Sequence, residues 1–158
     1  MEKQTLKIIF LDFDGVLNNA EFRANNKNYH ENFIDETTMP YLRQIVQETG
    51  AKIVLSTTWK TRWDAEDQSV LEDTKKINDI FAKYDLEIYS KTDDFNDNRN
   101  FEISMWLCAH AVENYVILDD LDFHWSEENR RRFVKTNDNI GLDKHTSQLA
   151  INILNSTL

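Results

Sequence analysis

The chain has one cysteine, one proline and three glycines in 158 residues. A lone thiol excludes an intrachain disulfide, so nothing covalent staples the fold. With so little glycine and proline, turns must be built by asparagine and aspartate, whose side chains bond back to the backbone. No apolar stretch approaches the ~20 residues needed to span a bilayer. Met1-Glu2-Lys3-Gln4-Thr5 leads straight into a strand pattern without an apolar signal core, so a cytoplasmic location is expected. Positive charge is also short. Eighteen Lys and Arg face 28 Asp and Glu, a net charge of −10. That argues against broad non-specific nucleic-acid binding, though not against a local basic groove. Repeats, low-complexity tracts and linkers are missing too, and nothing in the pattern calls for a membrane or an obligate protein partner.

What is present suits one globular domain over residues 1–158, with 41% hydrophobic and 29% charged residues. Apolar runs of strand character alternate with stretches of helical period. Strands are expected at Leu6–Leu11, Ala51–Leu55, Leu86–Tyr89, Tyr115–Leu118 and Phe133–Thr136. The first helix is expected from Thr38, its cap, to Thr49, with Pro40 in its first turn and Gly50 as the stop. A second runs to about Tyr84 behind a Ser69–Glu72 capping box. Two more are expected at Phe101–His110 and Asp143–Leu154, the latter with Leu149, Ile153 and Leu154 inward. Cys108, among Met105, Trp106 and Leu107, is expected to be a buried structural thiol. Such alternation predicts an α/β fold: a Rossmann-like three-layer α/β/α sandwich on a mostly parallel five-stranded sheet. The polar stretch Asn18–Asp35, with Phe22, Tyr29 and Phe33, reads as an irregular or hairpin-like flap. It is too short to form a cap domain of its own.

The most informative residues are Ile8 to Leu17, Ile-Ile-Phe-Leu-Asp-Phe-Asp-Gly-Val-Leu. A continuously apolar, β-branched run is the signature of a parallel strand buried on both faces. Asp12 and Asp14 fall at its carboxyl edge, where open α/β sheets bind ligands. Their i, i+2 spacing points both carboxylates toward one pocket, and Gly15 permits the sharp turn beyond. Like charges this close call for a cation between them or a shared proton. A hard, oxygen-seeking cation such as Mg²⁺ is the natural occupant. Val116-Ile117-Leu118-Asp119-Asp120 repeats the pattern on another strand, a second apolar run that ends in two close aspartates.

Asp12-Phe13-Asp14-Gly15-Val16-Leu17 resembles the first motif of the haloacid dehalogenase (HAD) superfamily, most of whose members are Mg²⁺-dependent phosphatases. Val16 stands where that family usually has threonine. With Ile-Val-Leu-Ser-Thr-Thr-Trp and Val-Ile-Leu-Asp-Asp, the chain is similar to small capless HAD domains that occur alone or beside RNA-repair modules. The resemblance implies that Asp12 is the nucleophile and Asp14 the general acid and base. It implies that Ser56, or Thr57 beside it, bonds a phosphate oxygen, and that Asp119 and Asp120, together with Asp12 and the backbone carbonyl of Asp14, hold Mg²⁺. The neutralising cation of the third motif maps to Arg99, with Lys60 and Lys91 as alternatives. The activity implied is a phosphomonoesterase acting through an aspartyl-phosphate on nucleotides or other small phosphates. Alternatives are a polynucleotide 3′-end phosphatase and a non-catalytic Mg²⁺- or phosphate-binding module. The run Arg130-Arg131-Arg132 with Lys135 bears on that choice. It either solvates a helix end or meets a phosphate-rich polymer. Trp59, Arg62, Trp63, His124 and Trp125 are candidate pocket-lining residues.

Overall fold

A computed structural model describes residues 5–157 of the chain. Five strands make one sheet: β1 (Leu6–Leu11), β2 (Lys52–Leu55), β3 (Ile88–Lys91), β4 (Val112–Asp119) and β5 (Phe133–Lys135). Their spatial order is β3-β2-β1-β4-β5, and every pairing is parallel. The expected α/β/α architecture is therefore present, and the sheet is wholly parallel. Among the described residues six α-helices accompany it: α1 (Ala20–Asn25), α2 (Met39–Thr49), α3 (Leu71–Ala82), α4 (Arg99–Cys108), α5 (Glu127–Arg131) and α6 (Lys144–Leu154). Among the described residues no helix is long and apolar enough to cross a membrane.

The alternation of β1 builds the layers. Ile9 and Leu11 pack into a cluster with Leu42 of α2, Ile77 of α3 and Ile151 of α6. Ile8 and Phe10 point the other way, into a cluster with Ile103 and Trp106 of α4. Both faces are sealed, which is why the strand is apolar at every position from Ile8 to Leu11. Phe10 meets Trp106 and Tyr115 edge-on, at 5.6 and 5.8 Å between ring centroids. As the central strand of the five, β1 ends where β2 and β4 also end, and the loops beyond converge there.

Several local readings need correction. No capping box joins Ser69 to Glu72. Asp67 accepts from Ser69 N instead, a 3₁₀ turn follows, and α3 starts at Leu71 with no side-chain cap. Strand β3 starts two residues later than Leu86 because Asp85 turns left-handed (φ 58°) and Leu86 N bonds Phe81 O, closing the helix end. Leu149 is exposed, and Ala150, Ile151 and Leu154 face inward. Cys108 is also exposed. It lies two residues past the core-facing Trp106, about 200° around the helix. The Asn18–Asp35 segment holds helix α1, capped by Asn19, rather than a hairpin.

Asn114 fastens α6 to the sheet. Its buried amide donates to the carbonyls of Ile153 (2.6 Å) and Ser156 (3.2 Å), and its oxygen accepts from Tyr115 N (2.9 Å). The carbonyls at a helix C-terminus lack intrahelical donors, so this side chain supplies what the helix cannot. Asn114→Ala is expected to cost about 2–3 kcal/mol, measured by urea unfolding, because several buried partners lose their bond at once. A loss below about 1 kcal/mol would mean that water replaces the amide without penalty.

Candidate active site

The carboxyl ends of β1, β2 and β4 bring together residues far apart in sequence. The ladder continues one step beyond the strands: Asp12 N bonds Leu118 O (3.0 Å) and Ser56 N bonds Leu11 O (2.9 Å). These bonds fix the backbones of Asp12 and Ser56 against each other before any side chain is considered. One oxygen from each of Asp12, Asp119 and Asp120 falls within 4.8 Å of the others. Asp12 and Asp119 are buried and Asp120 half-buried.

Arg99 lies against this cluster. Its Nη1 is 2.7 Å from Asp119 Oδ2 and 3.7 Å from Asp12 Oδ1, and it donates to the Ser56 carbonyl at 2.6 Å. The guanidinium also stacks over Phe123, 4.7 Å from the ring centroid. Of the three cations considered, Arg99 alone contacts the carboxylates. Lys60 is buried against Glu102, and Lys91 bonds the carbonyls of Lys60 and Trp63. The Lys60 ammonium is therefore bonded inside the fold, away from the three carboxylates.

Burial pushes the Asp12 carboxyl well above the usual range, and the negative Asp119 beside it pushes it further. Asp119 and Asp120 are also raised, again chiefly by burial. One guanidinium does not balance three carboxylates. The donor set is all oxygen, close-set and charge-rich, so Asp12, Asp119 and Asp120 fit a hard divalent cation. Asp14 stands apart from the three. Its oxygens accept from Asn18 Nδ2 (2.9 Å), from the Tyr29 hydroxyl and from Trp59 Nε1 (3.1 Å). Ser56 Oγ is buried without a partner among the described residues, an orphaned hydroxyl beside Asp12's strand. Thr57 Oγ1 instead accepts from Trp59 N at 3.3 Å, and its hydroxyl partly offsets the upward push on the Asp12 carboxyl.

Several residues of this site escaped the sequence reading. Asn18 is fully buried and uses both ends of its amide. It accepts from Gly15 N and Arg23, and donates to Asp14 and Phe33 O. Its only signal was an asparagine directly behind the Asp-Gly turn. Tyr29 reaches Asp14 from fifteen residues away. Thr136, at the end of β5, donates to Gly15 O at 2.7 Å. Asp138 pairs with Arg23 at 2.7 Å, and its charge adds to the upward shift of Asp120. Among the suggested pocket residues, Trp59 bonds Asp14 and Arg62 lies over its ring. Trp63 is buried and bonds Asn78 of α3. His124 is exposed with φ 54°, and Trp125 is buried.

A family model described as the HAD domain in Swiss Army Knife RNA repair proteins matches residues 8–146. No curated protein and no solved structure matches the chain.

Gly15 has φ 79°, and a Cβ there would lie 2.4 Å from the Asp120 carboxyl carbon. Gly50 has a similar φ of 73° but open space around it. The pair separates backbone strain from collision. Gly50→Ala is expected to cost about 1 kcal/mol, the left-handed penalty alone. Gly15→Ala is expected to cost about 3 kcal/mol or more, since strain and displacement of Asp120 add. Equal losses in thermal unfolding would show that Asp120 yields freely.

Proposed function

The chain belongs to the family of HAD domains in Swiss Army Knife RNA repair proteins, within a superfamily of phosphatase-type hydrolases, and we propose that it is a Mg²⁺-dependent phosphomonoesterase working through an aspartyl-phosphate on Asp12. The observation that carries this reading is the conjunction at one strand edge of three close carboxylates, one guanidinium and the unpartnered Ser56 hydroxyl.

In the proposed reaction an Asp12 oxygen attacks phosphorus in line, forming the acyl phosphate as the bond to the leaving oxygen breaks. Asp14 gives its proton to that oxygen. It then takes a proton from water as the water attacks phosphorus, releasing inorganic phosphate and restoring Asp12. Asn18, Tyr29 and Trp59 hold the Asp14 side chain for both steps. Ser56 Oγ and Arg99 bind the phosphoryl oxygens, while the Thr57 hydroxyl favours the charged form of Asp12. Asp12, Asp119, Asp120 and the Asp14 carbonyl would hold Mg²⁺, which would supply neutralisation of the phosphoryl charge.

Nucleotides and other small phosphates are the proposed substrates, with Asn18–Asp35 as a flap on a single domain. A polynucleotide 3′-phosphate is the second reading, favoured by the RNA-repair description of the family. The arginine run does not add to it. Arg130 pairs with Asp122, Arg131 with Glu127 and Arg132 with Glu128, so each cation has a local carboxylate.

Asp12→Asn should reduce hydrolysis of an aryl phosphate to below a few per cent while the fold persists; retained turnover would sink the nucleophile assignment. Chelator should silence the enzyme and Mg²⁺ restore it, with Ca²⁺ a poor substitute. Asp119→Ala should sharply raise the Mg²⁺ requirement, and full activity in chelator would refute the metal role. A panel of nucleotides, sugar phosphates and 3′-phosphorylated oligonucleotides separates the two substrate readings. Shortening Asn18–Asp35 between Asn25 and Asn28, which leaves Asn18 and Tyr29 in place, should raise KM for small phosphates more than for oligonucleotide ends, because a small ligand depends on the flap for enclosure. The opposite order would remove the flap from substrate binding.

A further inference from the structure

A buried ion pair lies beside the site without touching the carboxylate cluster. Lys60 Nζ is 2.7 Å from Glu102 Oε2, with side chains only 6% and 1% exposed. Lys60 follows Ser56 by four residues, in the 3₁₀ turn Thr58–Arg62 after β2. Glu102 follows Arg99 by three, one helical turn along α4. The same ammonium donates to Thr92 Oγ1 (3.2 Å) and Asp93 O (3.1 Å), in the loop after β3. Its three N–H groups are thereby all used, leaving none for a phosphate. One side chain thus ties together the loop that carries Ser56, the helix that carries Arg99 and the loop between them.

The pair is a poor device for stability. Burying two ions is costly, and well-packed apolar residues of similar size commonly do as well or better. Here the cost is not fully offset, because Glu102 Oε1 has no partner. What the pair supplies is register. Arg99 must reach the Ser56 carbonyl at 2.6 Å and Asp119 at 2.7 Å with the same nitrogen. A small slide of α4 along the sheet would break one of these bonds. Apolar contacts tolerate such slides, whereas a directed ammonium–carboxylate contact with fixed donors does not.

We propose that Lys60 and Glu102 are a positioning pair that sets Arg99 and Ser56 at the spacing required to bind a phosphoryl group. This inference rests on the proposed phosphatase reading and names what governs that site's affinity. The test uses the full chain with inorganic phosphate as ligand in calorimetry, alongside steady-state hydrolysis. Lys60→Met/Glu102→Leu removes both charges while keeping the volume apolar. It is expected to melt at or above the wild-type temperature, to bind phosphate about tenfold more weakly and to raise KM more than it lowers kcat. The ¹⁵Nε–H resonance of Arg99 should shift or broaden in the same variant. Unchanged phosphate affinity with an unmoved Arg99 resonance would overturn the proposal and leave the pair merely structural. Should the double variant fail to fold, Glu102→Gln, which keeps the shape, must weaken phosphate binding at least threefold or the proposal falls. A wild type that binds phosphate without hydrolysing any ester would refute the phosphatase reading alone. One that binds no phosphate would refute both.

Discussion

The contact of Arg99 with Asp12, Asp119 and the Ser56 carbonyl is the constraint around which the carboxyl edge of the sheet is arranged. Three carboxylates cannot be gathered in a buried space without a compensating charge. The guanidinium supplies part of it and, being planar with several fixed donors, also sets geometry. Its partners come from β1, β2 and β4, so it joins three strand ends that backbone bonding already holds level. The residual negative charge is what makes the cluster suit a divalent cation, and Ser56, whose buried hydroxyl has no partner among the described residues, sits at the same strand edge.

Around that constraint the polar bonds form two sets. On one side Asn18 links the Asp-Gly turn, Asp14, Arg23 and the carbonyl of Phe33, so the segment after β1 is seated by one buried amide. Phe33 stacks on Trp59 at 4.1 Å between centroids, and Trp59 bonds Asp14, which closes the set through aromatic packing. On the other side Lys60 and Glu102 seat α4. Asp14 and Arg99, whose proposed roles are proton transfer and charge neutralisation, are held by different side chains, and the two sets meet where Trp59 and Lys60 stand side by side in the turn Thr58–Arg62.

Charge distribution bears on the substrate. A net charge of −10 and an arginine run paired residue by residue leave no free basic track along α5 for a long polyanion. Recognition of a chain end, if that is the substrate, would then depend on the terminal phosphate in the site and on contacts near its mouth. That differs from binding along a groove, and predicts modest dependence on oligonucleotide length.

The fold was legible in sequence because parallel strands buried on both faces must be continuously apolar, and Ile8–Leu11, Ile53–Leu55 and Tyr115–Leu118 are. The two aspartate-terminated runs were equally plain, since strand direction alone places Asp12, Asp119 and Asp120 at one edge. The resemblance puts Arg99 first and leaves Lys60 and Lys91 as alternatives, because local pattern does not separate three cations near strand ends; only packing decides which cation meets Asp119 and which meets Glu102. Nor could periodicity show that Asp67 rather than Ser69 caps its turn, or that Tyr29 and Asn18 converge on Asp14, although with Trp106 inward it does turn Cys108 outward. Hydrophobic pattern and strand polarity are local properties, so the sequence determined the layers and the edge where the carboxylates gather. Which polar side chains satisfy one another depends on contacts between distant segments in three dimensions, and the tertiary structure alone decided that.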